Sequence, residues 1–209
     1  MTLTTGMPAV TSELPSVQGD AASERKLQEC LDTFSNVAID RHEAQAQIAA
    51  MTREILEVRF RAFASAQVLL VPVLRAGAAM WPVANHFFGS PATAFAVAVK
   101  RKGTSETSVS LSTVSGPSRC KFVVLDPILA TGDTICATSR LIAEQFPNNE
   151  IHVIGCYGSP EAVEHVSRTA KVTSLTIGVL ARGVDQAGYL IPKINGDCGE
   201  KLFGKRPMN

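Results

Sequence analysis

The chain has 209 residues, of which 45% are apolar, enough to bury one substantial core, so one domain preceded by a tail is expected. A formal charge of +1 with interspersed signs excludes the broad basic field that a nucleic-acid partner would need. No stretch reaches the roughly 18 to 20 apolar residues of a membrane span, which excludes a membrane partner of that kind.

Residues 1–20 are rich in Thr, Ser, Pro and Gly, hold no Lys or Arg and lack an apolar h-region. Neither a secretory signal nor a transit peptide fits, and a disordered tail is expected, with 21–209 as the domain. Two amphipathic helices are predicted next, the first with Leu27, Leu31 and Phe34 on its apolar face and the second with Ile48, Met51, Ile55, Val58 and Ala62. Residues 67–74 (Q-V-L-L-V-P-V-L) form a short continuous apolar run, the pattern of a strand covered on both faces. Similar runs recur at 93–99, 121–125, 151–157 and 172–180, with helix-length segments at 78–88, 134–146 and 160–168. That alternation predicts an α/β fold, a parallel sheet flanked by helices. The interval 101–118 breaks the rhythm, because 108–114 alternates polar and apolar residues, and is predicted to be a hairpin or flexible flap.

In such sheets ligands bind beyond the carboxyl ends of the strands. The loops to inspect are therefore 75–79, 126–134, 158–161 and everything after 180. The sharpest signal is V-V-L-D-P-I-L-A-T-G-D-T at 123–134. An apolar strand delivers Asp126 at its carboxyl end, and the small-residue turn Ala130-Thr131-Gly132-Asp133-Thr134 then opens a helix. Backbone N–H groups, hydroxyls and the positive end of the helix dipole would converge there on an anion such as a phosphate monoester. The Asp126 carboxylate would accept hydrogen bonds from a sugar diol. A plain strand-to-helix connection with an Asp and a Thr cap is the bland alternative.

This segment resembles the signature of type I phosphoribosyltransferases, which bind phosphoribosyl pyrophosphate (PRPP), and Asp126-Pro127 followed by I-L-A-T-G resembles the uracil phosphoribosyltransferases in particular. Upstream, V-P-V-L-R-A-G-A-A at 71–79 resembles that family's pyrophosphate loop, P-[IV]-L-R-A-G-x-G-M, and Met80 matches as well. An Arg at a strand end can form paired bonds to a pyrophosphate, and Gly77 lets the backbone pass close to a ligand. Arg101 falls where the family carries an Arg on a hairpin that folds over PRPP; a solvated basic turn is the alternative. Near the C-terminus, G-Y-L-I-P-K-I-N-G-D-C-G-E-K-L-F-G at 188–204 resembles the family's uracil loop, with Lys193-Ile194-Asn195 adding one residue and a charge at its centre.

The resemblance implies a type I phosphoribosyltransferase domain that joins uracil to PRPP to give UMP and pyrophosphate, with Asp126, Arg75 and Asp197 as catalytic residues. PRPP would be held by Arg75, Ala76, Gly77, Arg101, Asp126, Pro127, Ala130, Thr131, Gly132, Asp133 and Thr134. The base would meet Tyr189, Ile191, Gly196, Asp197 and Cys198. Mg²⁺ is expected on the substrate's own oxygens, and a homo-oligomer, dimer or higher, is implied. A phosphoribosyltransferase for another base and a non-catalytic PRPP or nucleotide sensor are the alternatives. Five scattered cysteines (Cys30, Cys120, Cys136, Cys156, Cys198) with no C-x-x-C pair suggest a reduced, cytoplasmic setting. Four of them read as small buried hydrophobes, whereas Cys198 stands among polar loop residues. The histidines His42, His86, His152 and His165 show no metal-ligand spacing and read as helical surface or satisfied core.

Overall fold

The structure is a computed structural model that describes residues 21–63, 67–100, 107–112, 119–194 and 196–205. The expected tail at 1–20 and Arg101 lie outside the described residues. In chain order the elements are α1 (Ala21–Ser35), α2 (Arg41–Arg59), β1 (Val68–Leu74), α3 (Trp81–Phe87), β2 (Ala92–Thr93), β3 (Ala96–Lys100) and β4 (Thr107–Leu111). They continue with β5 (Lys121–Leu125), β6 (Ile128–Leu129), α4 (Asp133–Gln145), β7 (Glu150–Gly158), α5 (Pro160–Thr169) and β8 (Ser174–Leu180). A hairpin of β9 (Gly183–Val184) and β10 (Leu190–Ile191) and the short α6 (Cys198–Phe203) follow.

The main sheet runs β4-β3-β1-β5-β7-β8, with β2 beside the start of β1 and β6 beside the end of β7. Only the β3–β4 pairing is antiparallel. Alternation sorts the strand residues between two cores. Leu70 and Leu125 face α1, α2 and α3, where Leu27, Phe34, Ile48, Met51 and Ile55 are buried. Leu69, Val71, Phe122 and Val124 face α4 and α5, where Ile135, Ile142, Val163 and Val166 are buried. Each such side chain contributes about 1.5 to 3 kcal/mol when fully covered, so the central strands form the rigid base on which the loops stand. Glu54, buried on α2, accepts from Lys26 and from the Ser23 hydroxyl of α1 (2.6 Å), which fixes the two helices to each other.

Several sequence expectations need correction. Val58 is 36% exposed and Ala62 is exposed as well, because the buried face of α2 turns through Thr52, Ile55 and Leu56 instead. The helix expected over 78–88 is a 3₁₀ turn at Ala76–Ala79 followed by α3; Pro82, which has no N–H to give, sits in the first turn of that helix. The run at 93–99 is two strands, because the chain steps along β1 from the pair Leu70–Thr93 to the pair Val73–Ala96. There β3 passes the edge of the helical layers, leaving Val97 44% and Val99 55% exposed. Cys198, the first residue of α6, is buried in the core, whereas Cys30 is only half-buried. His152 is a satisfied core residue, with Ser174 Oγ at 2.8 Å and Glu150 Oε2 at 3.1 Å. Among the described residues no helix is long and apolar enough to cross a membrane.

Candidate active site

Above the carboxyl ends of β1, β3 and β5 lies a cavity of about 730 Å³, a size that suits a small-molecule site. It is lined by Arg75 and Ala76 after β1, by Ala98 and Val99 on β3, by Asp126, Ala130 and Thr134 after β5, and by residues 188–190, 193–194 and 196–199. A recess of about 190 Å³ adjoins it, walled by Asp126 and by the turn from Ala130 through Thr134.

The turn is built to open the N-terminus of α4. Gly132 caps the helix at φ +82°, a left-handed conformation that L side chains rarely adopt. A Cβ there would meet Val166 Cγ2 at 3.0 Å and the Ala162 carbonyl oxygen at 3.1 Å, so the turn is pressed against α5. Ser159 clamps the two together, donating its hydroxyl to the Ala130 carbonyl (2.6 Å) and accepting from the Ala162 N–H (2.8 Å). The N–H groups of the first helical turn have no carbonyl partner within the helix, and with the dipole they make an anion cradle. Asp133 lies at the first position of α4, where its carboxylate accepts from the Thr131 hydroxyl (2.7 Å).

Asp126 stands at the end of β5, where the Ile128 N–H donates to its carboxylate. Burial outweighs that bond and pushes its pKa up to about 7. Ionisation in the fold therefore lags ionisation in the unfolded chain, and the cost of this lag to the ligand-free protein grows as pH rises from about 4 to about 7. Asp126→Asn is accordingly expected to be no more stable than the natural protein at pH 4 but more stable at pH 8. Thermal unfolding at the two pH values checks this; a difference independent of pH would mean that the carboxyl ionises freely in the fold.

Arg75 turns its guanidinium toward the C-terminal segment, with Nη1 donating to the Gly204 carbonyl (3.1 Å). Its Nε is buried and has no hydrogen-bond partner among the described residues. Asp197 caps α6, its Oδ1 accepting from the Glu200 N–H (2.8 Å). Tyr189 is 61% exposed at the cavity's rim, and the Lys193 ammonium lies 5.1 Å from its ring centre and 2.7 Å from Asp185. Lys193, first by a direct bond, holds the Asp185 carboxyl below the usual range.

The structure thus brings Arg75, Ala76, Asp126, Ala130, Thr134, Tyr189, Gly196, Asp197 and Cys198 around one cavity, with Thr131, Gly132 and Asp133 in its recess. It does not bring Gly77, Pro127 or Ile191 there. Gly77 is small because a Cβ would lie 2.3 Å from the Leu125 carbonyl oxygen, so its close neighbour is the backbone of β5 rather than a ligand. Pro127 is buried, and its carbonyl accepts from the Cys156 (3.0 Å) and Tyr157 (2.9 Å) N–H groups. The Ile191 carbonyl accepts from the Arg182 N–H (2.8 Å) as part of the hairpin.

Sequence reasoning missed the residues that hold the C-terminal loop. The Lys201 ammonium donates to the carbonyls of Phe34 (2.6 Å), Asn36 (3.0 Å) and Ile194 (3.1 Å), joining the end of α1 to the loop. Tyr157 donates its hydroxyl to the Pro192 carbonyl (2.9 Å). Two of Lys201's partners and Pro192 are distant in sequence from the groups that bind them, so no local pattern marks them. Helix α6 was missed as well, although Asp197 followed three residues later by Glu200 is a capping pattern that could have marked its start.

The fold is shared with solved phosphoribosyltransferases. The Helicobacter pylori xanthine-guanine-hypoxanthine phosphoribosyltransferase superposes with a TM-score of 0.50 at 12% identity, covering 67% of this chain and 87% of its own. The AQ2163 protein of Aquifex aeolicus has the same fold, with a TM-score of 0.71 at 19% identity over 87% of this chain and 96% of that one. Within that class, the chain belongs to the uracil phosphoribosyltransferase family, whose model matches residues 33–205. A tobacco (Nicotiana tabacum) uracil phosphoribosyltransferase is 34% identical over 140 residues, an alignment that spans 66% of this chain and 62% of the tobacco protein.

Proposed function

We propose that the chain catalyses the reaction of uracil with PRPP to give UMP and pyrophosphate. The observation that carries this reading is the continuity of one cavity from the α4 anion cradle, past Asp126 and Arg75, to the loop of residues 188–199. That order matches the substrate's own: 5-phosphate in the cradle, ribose hydroxyls on Asp126, pyrophosphate by Arg75, and the base against Tyr189, Gly196, Asp197 and Cys198.

In the reaction the bond from the anomeric carbon to pyrophosphate breaks with its electron pair leaving on oxygen, the uracil N1 bonds to that carbon, and N1 loses its proton. The ribose becomes oxocarbenium-like on the way. Catalysis then rests on positioning and on charges placed before the reaction begins. An ionised Asp126 beside the ribose opposes the positive charge, and the Arg75 guanidinium at the cavity wall supplies positive charge for the departing pyrophosphate. Among the described residues no group of three or more His, Cys, Asp or Glu is arranged to hold a metal ion. Mg²⁺ would be carried on pyrophosphate oxygens and water, where it would neutralise the leaving group.

A second reading, another base, is favoured by one observation: Lys193 and Ile194, at the point of departure from the family's loop, line the cavity. The reading also carries a homo-oligomer, for which exposed Val97 and Val99 supply apolar surface, and a cytoplasmic setting that suits free cysteines.

Because UMP and PRPP would share the cradle, UMP is expected to displace PRPP competitively in calorimetric titration. Simultaneous binding of both would place the 5-phosphate somewhere other than the turn from Ala130 to Thr134.

A further inference from the structure

An acidic residue at the mouth of an anion cradle is an electrostatic liability, and Asp133 is such a residue. Its backbone N–H belongs to the first turn of α4, so its carboxylate starts within a few ångströms of any phosphate bound there, where two like charges repel measurably even near the surface. It also takes the proton of the Thr131 hydroxyl, which approaches Oδ2 at 2.7 Å, and so occupies a donor that the cradle would otherwise offer to the phosphate.

The other carboxylate oxygen faces α5. His165 Nε2 lies 3.4 Å from Asp133 Oδ1, and His165 Nδ1 lies 3.4 Å from the Thr169 hydroxyl one helical turn on. When Nδ1 accepts from the Thr169 hydroxyl, or when the ring is protonated, Nε2 carries the hydrogen that faces Asp133. The imidazole is fixed from behind as well, because α5 is pressed onto the cradle at Gly132 and clamped there by Ser159.

We propose that His165 is a positioning residue for the phosphate cradle, drawing the Asp133 carboxylate toward α5 and away from the anion. This rests on the reading that the cradle takes the 5-phosphate of PRPP, and it adds a residue from outside the loop to the machinery of that subsite. His165 touches neither the cavity nor its recess; it acts through Asp133.

The test is a double-mutant cycle read by binding of ribose 5-phosphate, a probe with neither pyrophosphate nor base. His165→Ala should weaken ribose 5-phosphate about tenfold, a modest loss in keeping with a pair that is partly exposed and screened. Asp133→Asn removes the charge that His165 draws aside, so in that background His165→Ala should change ribose 5-phosphate affinity less than about twofold. In turnover, His165→Ala should raise the KM for PRPP with kcat nearly unchanged.

An equal loss in both backgrounds would mean that His165 supports the fold alone, and no loss in the natural background would mean that it does nothing; either overturns the proposal. Natural protein that binds ribose 5-phosphate but forms no UMP would remove the enzymatic reading and leave the cycle to decide this one. Natural protein that does not bind ribose 5-phosphate overturns both.

Discussion

Asp126→Asn is expected to lower turnover of uracil and PRPP by about a hundred- to a thousand-fold, about 3 to 4 kcal/mol in the barrier. The substitution keeps the shape of the side chain and an acceptor oxygen, so the ribose hydroxyls can still be held and the KM for PRPP should move much less than kcat. What is lost is the negative charge at the end of β5, which is worth most when the ribose carries positive charge and the surroundings are dry. Burial lifts the Asp126 pKa to about 7, and the same surroundings strengthen its charge toward the ribose once substrate has displaced water from the cavity. Steady-state kinetics at pH 8, above that pKa, check the expectation. A variant retaining a tenth or more of the natural kcat would show that Asp126 only shapes the site.

Gly77→Ala is expected to cost about 2 to 3 kcal/mol of stability, because its Cβ would lie 2.3 Å from the Leu125 carbonyl oxygen. The atom in the way is main chain of a central strand, so the neighbour cannot rotate aside, and either the 3₁₀ turn at Ala76–Ala79 or the end of β5 has to move. In a chain of this size that loss corresponds to a fall of roughly 4 to 12 °C in the unfolding midpoint. The same displacement separates Arg75 from Asp126, so PRPP should bind at least tenfold more weakly, about 1.4 kcal/mol. Calorimetric unfolding and PRPP titration measure the two effects. An unchanged midpoint would mean that the turn has room to shift, and that the glycine is there for another reason.

The central strands and the cradle were legible in the sequence because their causes are local. β5 coincides with its apolar run, and Gly132 and Asp133 open α4 within one residue of expectation. Asp126 fell at a strand's carboxyl end by that same pattern. The residues that set the cavity's other wall were not legible, because their reasons lie in distant partners. Gly77 was read as making room for a ligand and instead makes room for Leu125, which follows it by almost fifty positions. Pro127 matched a motif, yet it serves the sheet through its carbonyl. Cys198 stood among polar neighbours in sequence but is on the buried face of α6, a helix too short to betray that face by periodicity. Lys193, which departs from the family's pattern, is held by Asp185 and Tyr189, so the added charge is directed at the hairpin.

The central claim is that one cavity holds PRPP and uracil together and exchanges pyrophosphate for the base. The most direct measurement mixes purified protein, Mg²⁺, PRPP and a panel of bases containing uracil, cytosine, orotate and hypoxanthine, and quantifies nucleotide and pyrophosphate together. The account predicts that uracil is consumed, with one UMP and one pyrophosphate formed for each PRPP lost, and that the other bases react far more slowly. PRPP that binds while every base remains intact would contradict it.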